Sequence, residues 1–116
     1  MDKLVIEGGR VLNGVITASG AKNSALPVIV ATALAEEESL LENVPHGTDV
    51  EHICDILSSL GVAVRWDGPG RLRINGAGLN RVQAPYELVR KMRASFYVAG
   101  LLLGRLGEAV VPLPGG

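Results

Sequence analysis

Several residue types that build functional sites are scarce in this sequence. Its single cysteine, Cys54, excludes an internal disulfide, and the two histidines do not stand at a zinc-ligand spacing from it. Aromatic residues make up only 3% of the chain, so few side chains are available for stacking on nucleic-acid bases. We therefore expect no metal site and no bound cofactor.

Long apolar runs and excess charge are lacking too. The densest apolar patch, residues 101–103, is followed by Arg105 and Glu108, which leave it short of the ~20 residues of a membrane span. The first residues carry no apolar run after a basic start, so no secretion signal is evident. The formal net charge of -1 argues against nucleic acid or an anionic membrane held by bulk charge. We expect a soluble, cytoplasmic protein with no nucleic-acid or membrane partner.

The chain does contain enough apolar material for a packed core, 47% of 116 residues, in alternating helix and strand patterns. The predicted elements, in order, are a helix at 24–35, a strand at 39–44, a helix at 48–60 and strands at 62–66 and 71–75. The first helix is apolar on nearly every side, which predicts burial on all faces. The second begins at a capping box, residues 48–51, and ends at Gly61 as its left-handed cap. A hairpin turn at 67–70 joins the last two strands.

The two ends of the chain carry less regular patterns. A short strand is predicted at 3–7, and Asn13-Gly14 marks a hairpin between extended segments at 10–19. Beyond the hairpin, a second helical stretch starts at Pro85, as one helix or as two broken near Arg93, and a strand follows at 108–113. A helix followed by a strand repeats the start of the first unit. We therefore expect a repeat-built α/β (α+β) fold that stops inside its second copy, and hence a fragment of a longer chain.

Lys22 and Asn23 form the strongest candidate site. Pro27 lacks a backbone N–H and fits a helix's first turn, which places the start of the helix near Asn23 or Ser24. Unpaired N–H groups and the positive end of the helix dipole then meet the lysine, and together they favour an anion. The neighbouring residues are small, which lets a ligand approach the backbone. The alternative is a solvent-exposed lysine in a turn.

Arg90, Lys91 and Arg93 form a second basic cluster. They could clamp an anion, or they could form a solvated basic turn. Arg93 is favoured for function because small residues stand beside it. The sequence has no Ser/His/Asp arrangement, no paired acids at helical spacing and no Cys/His cluster, so part of any acid–base machinery lies elsewhere.

Separated motifs run in order along the whole chain and together resemble one enzyme family. They are Ser19-Gly20-Ala21-Lys22-Asn23-Ser24-Ala25-Leu26-Pro27, Leu34-Ala35-Glu36-Glu37, Asn43-Val44-Pro45, Leu60-Gly61-Val62, Ala84-Pro85-Tyr86-Glu87-Leu88-Val89, Met92-Arg93-Ala94-Ser95 and Leu113-Pro114-Gly115-Gly116. The family is that of the bacterial UDP-N-acetylglucosamine 1-carboxyvinyltransferases, also called UDP-N-acetylglucosamine enolpyruvyl transferases, and the chain resembles their N-terminal portion.

The resemblance implies a fold and a reaction. The reaction transfers the enolpyruvyl group of phosphoenolpyruvate to the 3′-hydroxyl of UDP-N-acetylglucosamine with release of phosphate, the first committed step of peptidoglycan synthesis. The fold is an inside-out α/β barrel of two similar domains, each built from three helix-and-strand units with the helices inside. By this resemblance, residues 1–21 belong structurally to the other domain, residues 22–116 form an incomplete first domain, and the partner of this chain is the remainder of the same enzyme.

The resemblance also assigns residues. Lys22 and Asn23 match a pair that contacts phosphoenolpyruvate and the sugar, Arg93 matches an arginine that contacts UDP-N-acetylglucosamine, and Tyr97 stands where relatives carry an aromatic. The general acid, a loop cysteine or aspartate and the site of fosfomycin attack when it is cysteine, is expected just after Gly116. The chain therefore contains no catalytic acid, and we expect the 116 residues alone to be inactive.

Two alternatives remain open at this point. The shikimate-pathway enolpyruvyl transferase shares the fold, but it carries a Lys-Ser pair followed closely by an arginine, whereas residues 22–27 here contain no arginine. A non-catalytic anion-binding module could also use the same helix start.

Overall fold

A computed structural model describes residues 2–92 and 95–113, except the side chain of Ser95. Within those residues the helices are α1 (Lys22–Thr32), α2 (Thr48–Ser59), α3 (Tyr86–Val89) and α4 (Ser95–Leu106), and the strands are β1 (Glu38–Leu41), β2 (Ala63–Trp66) and β3 (Leu72–Asn75). The predicted order helix, strand, helix, strand, strand is confirmed. None of the helices in the described ranges combines the length and hydrophobicity needed to cross a bilayer.

The three strands form one antiparallel sheet in the order β1-β3-β2, so the last strand in sequence lies in the middle. Leu72 and Ile74 of β3 are fully buried and face the helices, whereas Arg73 between them lies on the other face. There Arg73 bonds Asp67 at 2.7 Å and Glu38 at 2.8 Å, which ties the hairpin turn and β1 to the central strand. The sheet is therefore apolar on its helix side and polar on its outer side.

Helix α2 supplies much of the core beneath the sheet. Its buried residues are Val50, Ile53, Cys54, Ile56 and Leu57. Burial raises the pKa of the Cys54 thiol to about 11, as expected for a small core residue rather than a reactive one. Gly61 ends the helix with a φ of +100°, and the N–H of Val62 bonds the Leu57 carbonyl at 3.1 Å. The predicted left-handed cap is confirmed.

The prediction of a capping box at the start of α2 is wrong, because the side-chain hydrogen bonds of such a box do not form there. Gly47 takes the cap position, and no side chain caps the helix. Glu51 bonds His46 Nε2 at 2.8 Å, and the His46 ring stacks on Trp66 with centroids 4.3 Å apart. The stacking on β2 draws His46 to the side of the helix, where it competes for the Glu51 carboxylate.

Helix α1 starts earlier and ends earlier than predicted. It runs from Lys22, so Pro27 is its sixth residue and lies beyond the first turn. Because Pro27 has no backbone N–H, the Asn23 carbonyl lacks the helical hydrogen bond that residue 27 would otherwise donate. Asn23 is exposed, so water can satisfy that carbonyl, and the helix tolerates the proline.

The prediction that α1 is buried on all faces is wrong for this chain. Leu26, Ile29 and Val30 are buried against the rest of the core, but Val28 and Leu34 are each 47% exposed. Packing against α2 and β3 covers one side of the helix, and α4 covers part of another. No element in the described residues covers what remains.

The N-terminal arm, residues 2–20, forms neither the predicted strand nor the predicted hairpin. It has no strand partner among the described residues, and a strand needs one to satisfy its backbone N–H and C=O groups. Its apolar side chains are 79–97% exposed, and they are Leu4, Val5, Ile6, Val11, Leu12, Val15 and Ile16. The arm therefore extends from the body of the chain with its apolar residues uncovered.

The helical stretch after Pro85 is divided into α3 and α4, which decides between the two predicted forms. The strand predicted at 108–113 is reduced to one parallel bridge, between Val110 and Gln83. In that bridge the N–H of Val110 bonds the Val82 carbonyl at 2.7 Å, and its carbonyl accepts from Ala84 at 3.0 Å. A second unit thus begins to form beside the first.

Arg105 joins α4 to the first unit. Its Nη1 donates to the carbonyls of Ala33 and Gly76, each at 2.8 Å, and its side chain is only 12% exposed. A Cβ at Gly76 would collide with the Ala33 and Ala35 carbonyls, so glycine is required where α1 ends against β3. One guanidinium therefore satisfies two carbonyls that this close approach removes from water.

We predict that Arg105→Met destabilises the protein by about 2–4 kcal/mol, because two carbonyls lose a charged donor. The measurement is urea unfolding followed by circular dichroism. Arg65→Met, at an exposed position of β2, is the control and should change stability by no more than about 0.5 kcal/mol. Equal effects of the two substitutions would contradict the role of Arg105.

Candidate functional site: the mouth of helix α1

The first residues of α1, Ala21–Ser24, form an open N-terminus that we call the helix mouth. The first helical bond runs from the N–H of Ala25 to the Ala21 carbonyl at 2.9 Å, and no side chain caps the helix. The N–H groups of Lys22, Asn23 and Ser24 therefore lack helical partners. Ser24 Oγ donates back to the Ala21 carbonyl at 3.1 Å, so it does not close the mouth. Such a terminus favours a negatively charged ligand.

Lys22 lies at the mouth in contact with a second helix. Its Nζ is 2.8 Å from Oδ2 of Asp49, in the first turn of α2. The hydrogen bond and positive charge of Lys22 hold the pKa of the Asp49 carboxyl below its usual range. The pair consequently persists at more acidic pH than an ordinary aspartate would allow, and it is lost as pH falls through the lowered pKa.

Sequence reasoning missed Asp49 as a site residue. The pattern around it indicated only a helix start, and that signal is local. Its contact with Lys22 depends on how α1 packs on α2, which no spacing within the sequence reveals.

A tight backbone contact fixes the entry to the mouth. Asn43, in the loop after β1, has a positive φ of 57°, and its carbonyl lies where a Cβ on Gly20 would be. The N–H of Val44 bonds the Gly70 carbonyl at 2.9 Å, which anchors this loop to the hairpin turn. A cavity of about 140 Å³ remains between the loop and α1, lined in part by Gly20, Ala21, Ser24, Asn43 and Pro45. The small residues Gly20, Ala21 and Ser24 thus border this cavity, whereas Lys22 and Asn23 do not line it.

The other predicted residues lie elsewhere or outside the described residues. Arg93 lies outside the described residues. Tyr97 is 39% exposed and lines a different opening, an apolar cleft of about 320 Å³ between α1 and α4. Arg90 pairs with Glu87 at 3.1 Å and lies over the Tyr86 ring, as in a solvated turn. Lys22 and Asn23 thus lie at the mouth as the first two residues of α1, and Tyr97 lies at the separate cleft between α1 and α4.

The mouth offers hydrogen-bond donors and one cation, and its chemistry is anion binding. Within residues 2–92 and 95–113, no group of three or more His, Cys, Asp or Glu side chains is placed to hold a metal ion. Neutral backbone N–H groups and an ammonium together suit a phosphate, whose oxygens accept several hydrogen bonds at once.

Comparison with known proteins gives consistent matches. The family model described as EPSP synthase (3-phosphoshikimate 1-carboxyvinyltransferase) matches residues 6–116. A UDP-N-acetylglucosamine 1-carboxyvinyltransferase from Acidiphilium cryptum is 53% identical over 116 residues, which are 100% of this chain and 28% of that protein. UDP-N-acetylglucosamine 1-carboxyvinyltransferase 2 from Symbiobacterium thermophilum is 51% identical over 115 residues, 98% of this chain and 27% of its own length.

One solved structure adds a match in three dimensions. The enolpyruvyl transferase NikO from Streptomyces tendae superposes with a TM-score of 0.72 at 27% identity, over 86% of this chain and 23% of that one. The chain therefore spans less than a third of the length of each of these relatives. The predicted enolpyruvyl transferase fold is confirmed for the part present.

We predict that Gly20→Ala destabilises the protein by about 1–3 kcal/mol, because the added methyl must displace the Asn43 backbone. Gly100→Ala, in an open position of α4, is the control and should stabilise the helix by about 0.5–1 kcal/mol. Chemical denaturation of both variants gives the comparison. A Gly20→Ala variant as stable as wild type would show that the loop does not constrain the mouth.

Proposed function

This chain belongs to the EPSP synthase (3-phosphoshikimate 1-carboxyvinyltransferase) family, and from that membership we propose that the whole protein is an enolpyruvyl transferase acting on UDP-N-acetylglucosamine. In the proposed reaction the 3′-hydroxyl of the sugar attacks the enolpyruvyl carbon of phosphoenolpyruvate, and inorganic phosphate leaves. The observation that carries the proposal is the uncapped helix mouth with Lys22 at its first position. It suits the phosphate that both enters and leaves this reaction.

The mouth stabilises the charge that develops as phosphate departs. When the bond to the enolpyruvyl carbon breaks, negative charge grows on the phosphate oxygens. The Lys22 ammonium and the free N–H groups of the first turn are fixed before that charge appears, so little reorganisation accompanies the step. Asn23 adds an amide that can donate to phosphoenolpyruvate or accept from the sugar.

The choice of sugar rests on residues 22–27 and on the relatives. The family model is named for the shikimate enzyme, which is why 3-phosphoshikimate is the second candidate acceptor. The relatives that share 51–53% of this sequence are named for UDP-N-acetylglucosamine. Residues 22–27 also lack the arginine expected of the shikimate enzyme. Both observations support the nucleotide sugar.

The rest of the substrate site is proposed from the family resemblance. Arg93 contacts UDP-N-acetylglucosamine, and Tyr97 contributes on the substrate side of α4. The general acid, cysteine or aspartate, comes from a loop that follows Gly116, and a cysteine there makes the enzyme sensitive to fosfomycin.

We also propose that residues 1–21 belong structurally to the other domain, while residues 22–116 form the incomplete first domain. The exposed apolar side chains of the N-terminal arm support this division, since a sheet of the other domain would cover them. In the cell, the enzyme acts in the cytoplasm on the first committed step of peptidoglycan synthesis, on which cell shape and division depend.

Phosphate release by the full-length protein tests the function. We expect turnover of phosphoenolpyruvate with UDP-N-acetylglucosamine and none with shikimate 3-phosphate. The 116-residue chain alone should release no phosphate, because it spans only 27–28% of the length of the related transferases. Turnover with shikimate 3-phosphate alone would reassign the acceptor, and turnover with neither acceptor would leave an anion-binding module.

We predict that Lys22→Ala in the full-length protein lowers kcat/KM for phosphoenolpyruvate by about 100-fold or more, since a preorganised cation is lost. Lys22→Arg should recover only part of it, because a planar guanidinium places its charge differently. Arg81→Ala, at an exposed loop position, controls for the loss of one positive charge. Wild-type kinetics in Lys22→Ala would refute the role of the helix mouth.

A further inference from the structure

We propose that Asp49 is a positioning residue for this reaction, which holds the Lys22 ammonium at the helix mouth through the 2.8 Å contact between Nζ and Oδ2. The inference rests on the proposed function, because it concerns how Lys22 meets the phosphate of phosphoenolpyruvate. Asp49 acts through Lys22 and need not contact substrate.

Lys22 needs an external anchor. Its side chain is 56% exposed, so packing does not restrict its flexible four-carbon stem. It also lies at the first position of α1, where the positive end of the helix dipole repels its ammonium toward solvent. Within the described residues, the contact with Asp49 is the one ion pair of this lysine. Without it, the ammonium would sample many positions.

Asp49 is well placed to be that anchor. It lies in the first turn of α2, where the helix dipole favours a carboxylate. The next residue, Val50, is 1% exposed, and Ile53 one turn later is fully buried, so the backbone that carries Asp49 is fixed in the core. The carboxylate thus sits on a short side chain of a fixed backbone, whereas the lysine side chain that it holds is long and flexible.

The ion pair leaves the lysine able to bind its ligand. An ammonium has three N–H donors, and the contact with Oδ2 uses one of them. Two donors therefore remain for a phosphate at the mouth. The negative charge of Asp49 also opposes a nearby anion, so we infer that it weakens ground-state binding slightly and improves the reaction rate through placement.

The test compares Asp49→Asn with Glu51→Gln in the full-length enzyme. The two substitutions each remove one carboxylate charge from the first turn of α2 while keeping its shape, but Glu51 pairs with His46 rather than Lys22. We expect Asp49→Asn to lower kcat by about 10- to 100-fold, with KM for phosphoenolpyruvate unchanged or lower. Asp49→Glu should regain part of kcat, and Glu51→Gln should stay within about twofold of wild type. If Asp49 had only a structural role, Asp49→Asn would lower thermal stability but would not lower kcat at an unchanged or lower KM.

Two results would overturn the inference: a kcat for Asp49→Asn within about twofold of wild type, or an equal loss in Glu51→Gln. If Asp49→Asn does not fold, carbon NMR of wild-type enzyme labelled at both aspartate and lysine decides the question. Adding inorganic phosphate should then shift the Asp49 resonance together with the Lys22 side-chain signals, and a shift of Lys22 alone would refute the contact. This titration needs no turnover, so it separates failure of the inference from failure of the proposed function.

Discussion

The ion pair between Lys22 and Asp49 joins the first turns of α1 and α2, which pack against each other, and the rest of the candidate site depends on this contact. Two helix N-termini close together bring two positive dipole ends to one place, which is unfavourable unless negative charge lies between them. The Asp49 carboxylate supplies negative charge from within the protein, and a bound phosphate can supply more. The buried residues that fix α2, and the contacts of Asn43 with Gly20, keep the two turns in register. The core thus determines the geometry of a surface site.

The parts of the fold that were predictable are those encoded locally. Gly61 ends α2 because a positive φ favours glycine, and the turn at 67–70 follows from its own residues. Lys22 and Asn23 were also proposed as site residues from local pattern, because they stand before an apolar helix. The errors arose where distant elements decide. Whether Val28 is buried depends on what covers α1, and the pairing of Glu51 depends on the ring stack of His46 on Trp66. Asp49 could not be assigned to the site for the same reason.

The uncovered apolar surfaces have a common explanation in the length of the chain. Related proteins are more than three times as long, and this chain aligns with 27–28% of them. Single exposed apolar residues are ordinary in proteins, but a cleft between two helices and an arm with most of its apolar side chains exposed are not. The arm and the cleft thus present apolar surface that no element within the described residues covers.

The strand order has a consequence for how the first unit assembles. Because β3 lies between β1 and β2, β1 has no neighbour to pair with until residue 75 has left the ribosome. The β2–β3 hairpin closes a short loop and can form first, while β1 must wait for a longer closure that also encloses α2. Helix α1 packs on β3 as well as on α2, so the part of its apolar side that meets the sheet stays uncovered until β3 has been synthesised. The sheet contact of α1 therefore depends on a strand that follows it by about forty residues in the sequence.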